Sequence, residues 1–429
     1  MAPSPQEAHV SQEEAAPQAD ESAVPRARSI SLLSHTLAAM VGGLSSVCIK
    51  QLLLPLQVSA LAPTDTNTAF TIVASLGALA GLIASPLAGA LSDRTTLRWG
   101  RRRPWIVGGL ITAVGGMLLM AGATTIPALL LGEIGAQIGV DTILSMVTAM
   151  LPDRVPGTRR SLLSACIGVA PNVGGVAGLL LVTRLTNPQV VAQGYELLAA
   201  VSALCILFFL FVARERPITR DDIPPFHLRH FVADFVRPLA RPDFTYTLTS
   251  RCCVYLAFTI VSSYLLFYVR DGLHTAPSHA AQDVTFFQVC STGVLLLVAI
   301  GAGSGASRWQ RLKPFLMGGA VLMALGLSII ALVPLWSALI GAAVIFGAGC
   351  GLYLGVDLNL AVRVLSSERA GGKDLGIMYT AIYFPLILST LVGGPLLNLS
   401  HNNFALLFAL AAVSCLLAAG LLLPLKAVR

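Results

Sequence analysis

The sequence predicts an all-α integral membrane protein: twelve spanning helices in two pseudo-symmetric bundles of six. Three observations predict it. Twelve apolar runs are each long enough to cross a bilayer core, which takes about 20 helical residues. The loops between them alternate in charge. The second half of the chain repeats landmarks of the first at a nearly fixed offset. Of 429 residues, 55% are hydrophobic and 11% charged, and mean hydropathy is +0.78. A soluble domain carries about 25% charged residues.

The runs lie near 32–59, 68–91, 105–124, 127–151, 160–184, 194–213, 246–269, 284–305, 314–333, 337–364, 374–398 and 404–425. Loops after the even-numbered helices are basic: Arg94, Arg98 and Arg101–Arg103, then Arg154, Arg159 and Arg160, then Arg214, Arg216 and Arg220, then Arg308, Arg311 and Lys313, then Arg369 and Lys373. The other loops are short and nearly neutral, the longest being 271–283 with His274 and His279. Short basic loops stay in the cytoplasm, so both termini are expected there, in a multi-pass protein of the cell membrane.

Residues 1–30, rich in Ala, Pro, Gln and Glu, read as a disordered cytoplasmic tail. Residues 31–213 form the first bundle, 214–244 a cytoplasmic linker, and 245–429 the second bundle. Within the linker, Phe231, Phe235, Val236 and Leu239 share one side of a short amphipathic helix over 226–239. The net charge of +7 is no nucleic-acid footprint, because the positives sit in short loops without interleaved aromatics. All eight cysteines fall inside apolar runs without metal-ligand spacing. No metal or cofactor is expected. No nucleophile elbow or Walker loop is present; Gly301–Gly305 lacks the following Lys. The chain is not read as an enzyme, and its driving force is expected to be an ion gradient.

The repeat has three landmarks. Ile138-Gly139-Val140-Asp141 in the first half matches Leu354-Gly355-Val356-Asp357 in the second. Arg159 precedes Pro171 by the same interval as Lys373 precedes Pro385. Gly174-Gly175 has a looser partner in Gly393-Gly394.

Charges inside the bilayer are costly unless paired or wetted, so each is a functional candidate. They are Lys50, Glu133, Asp141, Arg251 and Asp357. Depth, counted from the rise per helical residue, pairs Lys50 with Glu133 and Arg251 with Asp357. His35, which precedes Arg251 by the interval that separates the two Gly-Val-Asp segments, is a possible partner for Asp141. Asp141, Asp357 and Glu133 are the proton-coupling candidates, because a carboxyl whose cation partner moves away changes its proton affinity. The competing reading is that these acids only hold helices together. Gln51, Asn172, Tyr255, Tyr353, Asn359, Tyr379 and Tyr383 are of a type that could bind a polyhydroxyl solute, although each taken alone reads first as packing or a helix–helix hydrogen bond.

The strip Gly89-Ala90-Leu91-Ser92-Asp93-Arg94, then Gly100-Arg101-Arg102-Arg103-Pro104, resembles the cytoplasmic loop between helices 2 and 3 of major facilitator superfamily transporters. The triple Arg before Pro is closest to the sucrose/proton symporter-like branch. The resemblance implies a central cavity lined by helices 1, 4, 7 and 10, where all five charges fall. It implies alternating access and a gate formed by Gly89, Ser92, Asp93, Arg94, Gly100, Arg101, Arg102 and Arg103, which ties the halves together when the cavity faces out. It also implies proton-coupled symport of a small polar solute, a sugar or glycoside, by a monomer in a lipid bilayer.

Two departures bear on the direction of transport. Helix 4 reads Gly132-Glu133-Ile134-Gly135-Ala136-Gln137 and lacks the Arg usual in sugar-facilitator and drug-efflux relatives. Helix 5, Gly168 to Gly175, partly resembles an antiporter signature, with Ala170 where Gly is expected. Proton-coupled export of hydrophobic compounds is therefore the alternative. A receptor or scaffold without transport is disfavoured by the repeat and the buried charges.

Overall fold

The computed structural model describes residues 24–150, 157–185, 191–213, 242–309, 312–365 and 372–425. Within them are twelve long helices. The first, α1, runs Val24–Cys48, passes through a π-helical turn Ile49–Leu53 and ends as Leu54–Leu61. Then come α2 (Thr66–Ser92), α3 (Arg103–Ala121), α4 (Ile126–Ala149), α5 (Gly157–Leu185) and α6 (Val191–Val212). The second set is α7 (Pro242–Phe267, extended by a π turn Tyr268–Gly272), α8 (Pro277–Trp309), α9 (Lys313–Leu332), α10 (Trp336–Leu365), α11 (Gly372–Leu399) and α12 (Phe404–Leu421). Eleven are long and apolar enough to cross a membrane. In α11 the apolar stretch within the described residues is the shorter Tyr383–Leu399. The helices project Leu204, Leu207, Phe211, Ile111, Leu297 and Ile300 outward; only a hydrocarbon solvent makes such a surface favourable.

The boundaries expected from hydropathy hold within a few residues, with two exceptions at polar ends. α1 begins at Val24, inside the stretch read as tail, and α8 begins at Pro277 rather than near 284. Hydropathy marks the apolar part of a helix and misses polar turns beyond it. Pro277 is preorganised for a first helical position. The linker helix expected over 226–239 lies outside the described residues.

Packing repeats between the halves. In the first, α3 packs on α4 and α6, α2 on α4, and α1 on α5 and α6; in the second, α9 packs on α10 and α12, α8 on α10, and α7 on α11 and α12. Contacts between halves run through α2 with α11, α5 with α8, and the π turn of α1 with α7.

The register of the repeat differs from the one the sequence suggested. Gly116 abuts the backbone of Ala136, and Gly109 that of Gly139. At the corresponding crossing of the second half, Gly326 abuts the backbone of Phe346, and Gly319 that of Gly349. The counterpart of Asp141 is therefore Gly351, not Asp357. The matching Gly-Val-Asp segments are displaced by six residues, which sets Asp357 about 9 Å nearer the terminal face than the counterpart of Asp141. At α1 and α7 the offset suggested by the sequence holds: the carbonyl of Pro171 faces Gly43, and that of Pro385 accepts from Thr259 Oγ1.

Candidate functional site

The site is built from one face of α4. Glu133, Gln137 and Asp141 are spaced by four residues and fall in line on one side of an α-helix. All three are buried, Glu133 to 1% and Asp141 to 4% exposure. Opposite them on α2 stand Gly77 and Gly81, again four apart. A Cβ at Gly77 would run into Glu133, and one at Gly81 into the Asp141 carboxylate and Gln137. The absent side chains are what lets the acids lie between the helices.

Asp141 is held from two directions. Gln137 Nε2 donates to Oδ2 at 2.7 Å. Tyr383 Oη, from α11 of the other half, donates to Oδ1 at 3.1 Å. Lys50 and Gln51 sit in the π turn of α1 and are buried. One extra residue per turn re-aims side chains, which is why π turns cluster at functional positions. Lys50 and Glu133 line one cavity of about 10 Å³ with Ser45, Ser46, Gln137 and Val140, room for roughly one water. Depth thus placed these two charges together, but they form no direct ion pair. Glu133 Oε1 and both amide atoms of Gln51 are buried without a hydrogen-bond partner among the described residues. Groups in that condition are costly unless water or a ligand serves them.

The second expected pair is present. Arg251 Nη2 lies 3.1 Å from Asp357 Oδ2. Tyr255 holds its ring 5.6 Å from the guanidinium, and Tyr353 is fully buried on α10, one turn before Asp357.

His35 corrects an expectation. Gly42 of α1 lies against Leu144 of α4. Because α1 and α4 run in opposite directions, His35 falls about 15 Å from Asp141 along the bundle axis. It packs edge-on against Phe209 of α6, with ring centroids 4.9 Å apart. Asn172 is half-buried on α5. The side chains of Asn359 and Tyr379 lie outside the described residues.

Among the described residues, the basic strip makes contacts within its own half. Asp93 meets Arg101 at 3.6 Å and Arg102 at 3.9 Å. Arg103 donates to the Leu210 carbonyl of α6, and Trp105 Nε1 to Thr95 Oγ1. Gly100 turns the strip with φ 102°, where a side chain would be strained. Gly89 has open space around it. Ser92 is buried and donates to the Gly89 carbonyl.

Among the described residues, the halves are joined on the face remote from the termini, through residues that the hydropathy and charge pattern did not single out. Asn67 Nδ2 donates to Oδ1 of both Asn398 and Asn402, each at 2.9 Å. Asn402 reaches this position from a left-handed backbone, φ 62°, which Asn tolerates. Thr71 Oγ1 donates to the Thr390 carbonyl, and the hydroxyls of Ser75 and Thr390 bond at 2.7 Å. Phe70 packs against Tyr264 and Phe267, and Arg270 donates to Ser59. The signal was present as polar residues every fourth position in α2, at Asn67, Thr71 and Ser75.

The Major Facilitator Superfamily profile matches residues 32–371. The chain is 25% identical over 346 residues to the "Fujikurins efflux protein" of Gibberella fujikuroi, covering 79% of this chain and 69% of that protein. Shorter stretches are similar to two other proteins: 35% identity over 78 residues with mouse "Solute carrier family 45 member 4" and 38% over 65 residues with human "Membrane-associated transporter protein". The two stretches span 18% and 15% of this chain, and 10% and 12% of those two proteins. The fold superimposes on the nucleoside transporter NupG with a TM-score of 0.72, at 14% identity, over 92% of this chain and 98% of that one. It also superimposes on a POT family transporter in complex with a thioalcohol-conjugated peptide, with a TM-score of 0.70 at 13% identity, over 91% of this chain and 94% of that one.

Proposed function

Because the chain belongs to the Major Facilitator Superfamily, we propose that this membrane transporter moves a small polar solute, a sugar or glycoside, together with protons by alternating access. The observation that carries the reading is the buried Glu133–Gln137–Asp141 line beside Lys50. Acids in that position bind and release protons as their surroundings change between states. Unpartnered Gln51 and Glu133 atoms suit hydroxyl groups, which both donate and accept. The cell membrane is the proposed location. The basic loops favour cytoplasmic termini, and each chain is proposed to act as a monomer.

The second reading is proton-driven export. The similarity to the fungal efflux protein across 79% of this chain favours it. In that case the Asp141 proton enters as the cargo leaves.

Reconstitution separates the two. Liposomes carrying an inward proton gradient are given labelled sucrose or maltose and, separately, a lipophilic dye. Gradient-driven sugar accumulation that is lost in Asp141→Asn supports symport. Dye movement against the gradient without sugar uptake makes the protein an exporter.

A further inference from the structure

We propose that Tyr383 is a positioning residue for Asp141, supplied by the opposite half, whose hydroxyl reports to the proton site that the face remote from the termini is closed. The proposal rests on Asp141 being the proton site of the function proposed above.

Its starting point is the α2–α11 seam. Steps of four residues down α2, Asn67, Thr71 and Ser75, are matched by steps of four back along α11, Asn398, Gly394 and Thr390. The helices are antiparallel and keep one register. Continued inward, that register brings Leu82, the neighbour of Gly81, level with Tyr383. Gly81 leaves a gap that the Asp141 carboxylate fills, and Tyr383 Oη meets the carboxylate there at 3.1 Å. One helix, with Pro385 and Pro395 inside it, thus carries both the far-face clasp and the donor to the acid.

The groups facing Asp141 assign the roles. Its own helix offers Gln137 as a donor and Glu133 as a second acid; α1 offers Lys50; α11 offers Tyr383. α2 contributes Gly81, and α3 meets α4 here with Gly109 and Ala113. Gln137 and Lys50 belong to the same half as Asp141 and travel with it. Tyr383 does not. When the clasp opens and α11 withdraws, the carboxylate loses a hydrogen bond while its same-half partners stay. A donor to the charged form stabilises that form. The seam therefore favours the carboxylate while the far face is closed and the protonated acid once it opens.

The test reads the acid directly and needs no substrate. The infrared band of the protonated carboxyl that disappears in Asp141→Asn is titrated against pH in the purified full-length protein. Tyr383→Phe removes only the hydroxyl. The expected result is a half-titration point about one pH unit more alkaline than in the unsubstituted protein, as the loss of one hydrogen bond to a charged group requires. Thr390→Val weakens the clasp at its Ser75 bond without touching Asp141; an alkaline shift no larger than that of Tyr383→Phe is expected, and no further shift when it is added to Tyr383→Phe. Equal titration of Tyr383→Phe and unsubstituted protein overturns the proposal. So does an alkaline shift from Thr390→Val that persists when Tyr383 is already Phe, because seam packing alone would then explain it. If no titrating band is lost in Asp141→Asn, this inference falls together with the Asp141 proton site it rests on, and proton coupling is left to Glu133 or Asp357. If the band is lost but Tyr383→Phe does not move it, only this inference falls.

Discussion

Arg251 on α7 and Asp357 on α10 meet at 3.1 Å with side chains 8% and 5% exposed. A buried pair of this kind gains little over an apolar pair of the same size, because desolvation offsets most of the attraction, yet removing one partner leaves an uncompensated charge. Asp357→Asn is expected to lower stability by roughly 3–5 kcal/mol. The double change Arg251→Met with Asp357→Leu should restore most of it. Thermal unfolding of the purified single and double variants checks this. Retained gradient-driven transport in the double variant would assign Asp357 a structural role and leave proton coupling to α4.

Gly81 is predicted to matter for chemistry more than for stability. A Cβ there would displace the Asp141 carboxylate, whose donors on either side fix its position. Gly81→Ala should cut gradient-driven uptake at least tenfold, which corresponds to about 1.4 kcal/mol. Gly108 faces open space, so Gly108→Ala should leave uptake unchanged and raise helix stability slightly. Initial uptake rates and melting temperatures of the two variants check the contrast.

The helix 5 signature can be explained by packing. A Cβ at Gly174 would run into the Met40 carbonyl of α1, and Gly175 sits against Val47. Overpacking such a contact costs about 1–3 kcal/mol. Gly174→Ala should therefore lower the melting temperature and yield without reversing the direction of transport. A change of direction in this variant would tie the signature to export instead.

The far-face clasp is expected to open in every cycle. Cysteines replacing Asn67 and Asn398, whose side chains touch in the closed state, should be joined by a short thiol cross-linker. Cross-linking should stop transport, and the unlinked variant should still transport. Transport surviving complete cross-linking would show that this seam does not move.

The strongest signals in the sequence were local ones. Hydropathy located the twelve helices because the bilayer imposes length and apolarity on each segment independently of its neighbours. Intramembrane charges were visible because they are so costly in hydrocarbon, and the Arg251–Asp357 pair followed from depth alone. Lys50 and Glu133 reached the same cavity for the same reason but not contact, since depth says nothing about rotation around the helix axis. The repeat was visible, yet its register was not. Asp141 and Asp357 end similar tetrapeptides, whereas the backbone contacts of Gly116 and Gly326 equate the halves six residues differently. Four small or common residues recur easily, but a close helix crossing tolerates only one alignment.

By itself the sequence determined the class of protein, the number and order of its helices, and which polar groups must be served inside the membrane, because each is a property of one segment in one solvent. Only the tertiary structure decided which helices meet, that Gly77 and Gly81 make room for the α4 acids, and that Tyr383 reaches Asp141 from the other half. Those relations depend on helix rotation and on contacts between residues far apart in the chain, and no local pattern encodes either.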